Sequence, residues 1–237
     1  MRTDMRELKV GDGSTIILVR IEQGSFVMGS PPSEYGRSTL EVPHTVILSR
    51  SFWVSVTPVT QAVWMAVMGT NPSQFKGSDL PVDTVDWDQA RLFAERLAAI
   101  SKDDLNGLRP DLPTEAEWEY ACRAGSTGKW CFGSDEAHLG DYAWYDSNSG
   151  DKTHPVGLKK PNAWGLFDMH GNVWEWCKDW YGSYTAASLD PQGPPSGNRK
   201  VIRGGAYCNS WDWTRSANRY IGKPGDLVGV RIVAREP

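Results

Sequence analysis

The 237-residue chain carries 40% hydrophobic and 23% charged residues at a formal net charge of −4, a composition expected of one soluble globular domain spanning 1–237. No run reaches the ~18 apolar residues of a membrane helix, and an acidic balance excludes the dense basic surface that nucleic acid demands. Twelve Trp, 24 Gly and 15 Pro imply irregular backbone held by aromatic anchors, while four cysteines without a C-x-x-C pair suggest neither a disulfide scaffold nor zinc.

The opening "MRTDMRELKVGDG" holds no apolar stretch of signal-peptide type. "VRIEQGSFVMGS" reads as strand, turn and strand, over Val19 to Ile21 and Ser25 to Met28, and "HTVILSRSFWVSVTPVT" continues the β pattern. Thr57 before Pro58 marks a helix start, with Val59, Val63, Ala66 and Val67 on one face and Gly69 as the stop. A second helix opens at Asp86 and buries Ala90, Phe93, Ala94 and Leu97. A third carries the capping box Thr114 and Glu117, turns Trp118, Ala121 and Cys122 inward, and stops at Gly125. Glu115, Glu117 and Glu119 are read there as a solvated face favouring the helix N-terminus. From residue 126 onward short strands and long loops dominate, and residues 189–200 form an exposed loop.

The densest motif is "GLFDMHGNVWEWCKDWY". Asp168, His170, Glu175 and Asp179 are residue types of acid/base chemistry, but Trp174, Trp176 and Trp180 at near-alternate positions favour a structural strand with hydrogen-bonded polar residues. Asn172, the Val173 carbonyl and Glu175 are candidate calcium ligands, a structural ion rather than a required cofactor. His44, His138, His154 and His170 lack metal-ligand spacing. Cys208 is a candidate nucleophile or copper ligand, yet its neighbours in sequence are arginines and not a histidine.

Taken in order, "GSFVMGS", "LPVDTVDWDQARLFAERLA", "LPTEAEWEYACRAG", "NAWGLFDMHGNVWEWCKDWY", "VIRGGAY" and "GVRIV" resemble the formylglycine-generating enzyme or sulfatase-modifying-factor family over residues 17–234. The resemblance implies an α+β chain with a C-type-lectin-like fold and little regular secondary structure. For enzymes of the family it implies copper on two cysteines after the Gly-Gly, or, in the sulfoxide synthases, iron on a histidine triad. Here Cys208 is followed by Asn209 to Thr214 without a second cysteine, so formylglycine generation is disfavoured and a non-enzymatic role is expected.

The resemblance also covers variable proteins of diversity-generating retroelements, whose hypervariable segment runs from the Gly-Gly to a final strand, here 205–229. Mutagenesis at adenines there excludes Lys, Glu, Gln, Met and Trp. Ala206, Tyr207, Cys208, Asn209, Asp212, Thr214, Tyr220, Ile221, Gly222, Asp226 and Leu227 are permitted types and become candidate ligand contacts. Trp211, Trp213, Arg215 and Arg219 become scaffold, with the two arginines pairing with acidic residues. A monomeric, receptor-like protein is expected, binding a protein or cell-surface ligand at the cell surface or outside the cell. A generic family domain of other role is the alternative.

Overall fold

The computed structural model describes residues 4–184, 189–223 and 225–236, so Pro224 of the 205–229 segment lies outside the described residues. The first part of the chain holds β1 (Met5–Lys9), β2 (Thr15–Ile21), β3 (Gly24–Met28), β4 (His44–Leu48), β5 (Phe52–Ser55) and helix α1 (Gln61–Met68). Then come α2 (Trp87–Ile100), α3 (Lys102–Leu105), β6 (Arg109–Asp111), α4 (Glu115–Arg123) and α5 (Leu139–Tyr142). The remainder is β7 (Trp174–Trp180), β8 (Lys200–Arg203), β9 (Arg219–Ile221), β10 (Val228–Gly229) and β11 (Val233–Arg235), separated by long irregular stretches.

Five strands form an antiparallel sheet in the order β1-β2-β5-β11-β6, which seats the last strand between strands from the first half of the chain. A second sheet runs β10-β7-β8-β9, with β10 parallel to β7, and β3 pairs with β4 as a separate ribbon. The four-stranded sheet carries both flanks of the 205–229 segment, because β8 leads into it and β9 and β10 lie within it.

Helix starts follow their side-chain caps. Asp86 caps α2 and forms a capping box with Gln89; Ala90, Phe93, Ala94 and Leu97 are buried, and Phe93 stacks on Trp64 with centroids 5.1 Å apart. Gly69 ends α1 in the left-handed region at φ 75°. The start of α1 differs from the sequence expectation: Thr60, not Thr57, accepts the Val63 amide. Val59 instead exchanges strand-like backbone bonds with Val230 and Val82, which hold it outside the helix.

A larger correction concerns α4. Thr114 and Glu117 form the capping box, but Glu115, Glu117 and Glu119 are 2%, 7% and 0% exposed. They are not a solvated face. Each carboxylate meets arginine: Glu115 pairs with Arg203 and Arg219, Glu119 with Arg123 and Arg203, and Glu117 with Arg235. Such charges withstand burial only because every desolvated carboxylate has a cationic, hydrogen-bonding partner.

Candidate functional site

Gly204 and Gly205 leave β8 at φ 99° and 76°, and a side chain at Gly205 would sit 3.0 Å from the Trp213 carbonyl. Only glycine fits that left-handed turn without strain. Beyond it the chain folds on itself: the Ala206 amide donates to Asn209 Oδ1 at 2.8 Å, and the Asn209 amide to the Ala206 carbonyl at 3.0 Å. A single 3-10 turn over Trp211–Thr214 follows before the chain enters β9.

This path leaves an open groove of about 350 Å³, lined by Trp174, Ile202, Ala206, Cys208, Asn209, Trp213, Tyr220, Gly225, Asp226 and Leu227. Six of the eleven candidate contacts therefore meet in one concavity. Its wall is aromatic: Trp213 and Tyr220 meet edge to face at 5.1 Å, and Trp174 lies 6.1 Å from Trp213 and 6.2 Å from Tyr220. Trp174 and Ile202, which the sequence reading did not count as contacts, also line the groove; the alternation of β7 was the signal for Trp174, whereas Ile202 comes from β8. A larger cleft of about 660 Å³ elsewhere draws no residue from 205–229 and is lined by Arg20, Glu117 and Arg235 among others, with Arg20 paired to Glu22 and Arg235 to Glu117.

Tyr207, Asp212, Thr214, Ile221 and Gly222 lie outside the groove, and burial divides the candidate contacts further. Ala206 and Thr214 are 0% exposed and Tyr207 is 4% exposed, so the expectation that Tyr207 is a replaceable surface contact is corrected. Tyr207 packs edge-on against Phe75, and Thr214 receives the Trp130 indole N–H. Gly222 is buried against the Trp176 ring. Asp212 is half-buried against Gly36 and accepts from Ser210, and Ile221 is half-buried in β9. Cys208 and Tyr220 are the exposed contacts, with Asn209, Asp226 and Leu227 half-buried.

Beneath the segment, Arg215 is fully buried between Glu34 and Glu41, and Arg219 binds Glu115 through two nitrogens. Trp211 stacks on Tyr35 at 5.6 Å, away from the groove. Desolvation opposes the charge of Glu41, yet Arg215 holds its carboxyl below the usual carboxylate range.

The acid/base and metal candidates are already engaged. His170 is 1% exposed; its Nδ1 donates to the Thr214 carbonyl at 2.9 Å and its Nε2 accepts the Cys131 amide at 3.1 Å. Burial holds it neutral, down to about 4. Burial raises Asp168 to about 6 and Asp179 to about 7, while each accepts a backbone amide, from Gly157 and Glu115. The calcium expectation does not fit this donor set. Asn172 Oδ1 accepts the His154 amide, and Glu175 accepts the Trp118 indole at 2.6 Å and Arg231 at 2.9 Å, so a guanidinium stands where the cation would. Among the described residues no three His, Cys, Asp or Glu side chains are grouped to hold a metal.

All four cysteines are free thiols. Cys122 and Cys131 adjoin His170, Cys177 is buried, and only Cys208 reaches the groove. Partial burial, with Asp151 and Asp146 nearby, pushes the Cys208 thiol up, opposite to what a thiolate ligand or nucleophile needs.

Residues 6–236 match the family of sulfatase-modifying factor enzyme 1-like domains. Among solved structures, Treponema denticola variable protein 1 superposes with a TM-score of 0.86 at 33% identity, covering 98% of this chain and 99% of that one. PvdO from Pseudomonas aeruginosa superposes at 0.84 with 28% identity, covering 98% and 99%. The formylglycine-generating enzyme of Bos taurus is 32% identical over 77% of this chain, which spans 48% of that enzyme's length. The chaperone protein LppX of Paenibacillus barcinonensis is 31% identical over 81% of this chain and 79% of its own.

Proposed function

The chain belongs to the family of sulfatase-modifying factor enzyme 1-like domains, with its C-type-lectin-like fold, and we propose that it acts there as a variable, receptor-like protein binding a protein ligand through the groove of segment 205–229. The observation that carries this reading is the division within the segment. Cys208, Asn209, Tyr220, Asp226 and Leu227 line one open concavity, while Arg215, Arg219 and Thr214 are buried in ion pairs and hydrogen bonds beneath it. Substitution at the former alters a recognition surface; substitution at the latter strikes the frame. Likeness to Treponema denticola variable protein 1 over nearly the whole of both chains supports the same reading, and a location at the cell surface or outside the cell is part of it.

Oxidation of a sulfatase cysteine is less well supported. Linear copper(I) ligation requires two soft thiolates, and Cys208 enters the groove alone with its thiol pushed up.

Resequencing this gene in cells of one population, together with its neighbourhood, tests the proposal. Substitutions concentrated at Cys208, Tyr220, Asp226 and Leu227, absent at Arg203, Arg215 and Arg219, and accompanied by a nearby reverse transcriptase gene, are expected. An invariant segment overturns the reading.

A further inference from the structure

The aromatic wall of the groove differs from other aromatic surfaces of the molecule. At several other rings the chain places its own cations. Lys200 lies 3.7 Å from the Trp180 centroid, Lys159 3.8 Å from Trp144, and Lys129 5.2 Å from Trp211. No cation of the described residues lies over Trp174, Trp213 or Tyr220. Trp213 crosses Trp174 at 85° and Tyr220 at 70°, while Trp174 and Tyr220 are inclined by 32°, and the three border an open space in which Tyr220 is 37% exposed, Trp213 half-buried and Trp174 only 6% exposed.

The charge at this groove is negative. Asp226 lines it, accepts the Lys223 amide at 2.9 Å, and forms no ion pair among the described residues. The exposed Asp146 and Asp151 likewise have no cationic partner among the described residues, and both act electrostatically on the Cys208 thiol at the groove. Lys223 is exposed and adjoins the groove through its backbone, but does not neutralise Asp226 by an ion pair. Ring faces beside an unpaired carboxylate attract a cation through the ring quadrupole and through direct charge.

Resting on the proposed binding role, we propose that the Trp174, Trp213 and Tyr220 wall with Asp226 is a receptor for a cationic side chain, a lysine or arginine presented by the protein ligand. The cation sits against the aromatic faces with Asp226 beside it. In this chain Cys208 and Leu227 border that charge anchor.

The test is a titration of the 15N-labelled full chain, following the indole N–H signals of Trp174 and Trp213. The probes are N-acetyl-lysine methylamide and N-acetyl-arginine methylamide, with N-acetyl-norleucine methylamide and N-acetyl-glutamate methylamide as neutral and acidic controls. A saturable shift with a cationic probe, weakened roughly threefold or more in Asp226→Asn, is expected. Tyr220→Ala should weaken it further; Asp226→Asn, which changes charge at nearly constant shape, keeps the test decisive should that variant unfold. Equal response to norleucine, no saturable response, or an unchanged affinity in Asp226→Asn overturns the inference. Equal norleucine binding would still leave the groove a binding site, whereas an invariant 205–229 segment in the resequencing removes the wider reading whatever the titration shows.

Discussion

The guanidinium of Arg203 lies 2.8 Å from the carboxylate of Glu119, and neither side chain reaches solvent. Glu119 also holds Arg123, and Arg203 also holds Glu115, so one network ties α4 to β8 directly beneath the Gly204-Gly205 turn. The segment that carries the groove thus springs from a rigid, charged base.

Glu119→Gln is expected to destabilise the fold by about 3–5 kcal/mol, because it strips the buried Arg123 of its carboxylate partner and leaves Arg203 with Glu115 alone. Glu95→Ala, which breaks an exposed pair with Arg91, should cost about 0.5 kcal/mol or less. Urea denaturation of both variants checks the contrast, and equal small losses would contradict it.

Tyr207 and Tyr220 both belong to segment 205–229, at 4% and 37% exposure. Tyr207→Ala should cost about 3 kcal/mol or more, as for other buried aromatic residues, and Tyr220→Ala about 1 kcal/mol or less. Thermal unfolding in which the two variants match would show that burial does not separate frame from contact here.

Gly222→Ala is expected to destabilise by about 1–3 kcal/mol. A β-carbon there would lie 2.0 Å from the Trp176 ring and 2.9 Å from Ile202, both in the core beneath β9. Gly11→Ala, where nothing lies within 4 Å of the added carbon, is the control. Similar melting temperatures for the two would contradict the close approach.

A disulfide reagent should titrate the exposed Cys208 first in the native chain, the half-buried Cys131 far more slowly, and the buried Cys122 and Cys177 only in denaturant. Because the Cys208 thiol is pushed up, its reaction should be slow near neutrality and quicken in alkali. Cys208→Ser should abolish the faster native reaction; its persistence would place another cysteine at the surface.

The Asp179 carboxyl stands at about 7 against an ordinary 3.8, raised by burial. Between these values the folded chain keeps a proton that the unfolded chain releases, so this group's stabilisation is complete below about pH 4 and is lost as the pH rises through 7. His170 runs oppositely: held down to about 4 against 6.5, it makes stability rise over that interval. Comparison of Asp179→Asn with the parent removes the His170 contribution, which both share. The variant should gain on the parent by on the order of 2 kcal/mol from about pH 4 to pH 7, read by urea denaturation. A constant difference across that range would refute the assignment.

By itself the sequence determined what is local. Asp86 with Gln89 and Thr114 with Glu117 close capping boxes three residues apart, and Trp174 and Trp176 alternate along one strand, so spacing alone revealed these elements. The family, too, was readable from its ordered motifs. Tertiary structure decided which charges are buried and which residues of 205–229 meet a ligand-sized space. Glu34 and Arg215 are 181 positions apart, and Arg203 and Glu119 are 84, so no local period records either pairing. Between Gly205 and β9 the chain has no repeating hydrogen bonds to set an inside and an outside. There the burial of Tyr207 and the exposure of Cys208, adjacent in sequence, follow from the distant elements packed against each, and only the folded chain brings those together.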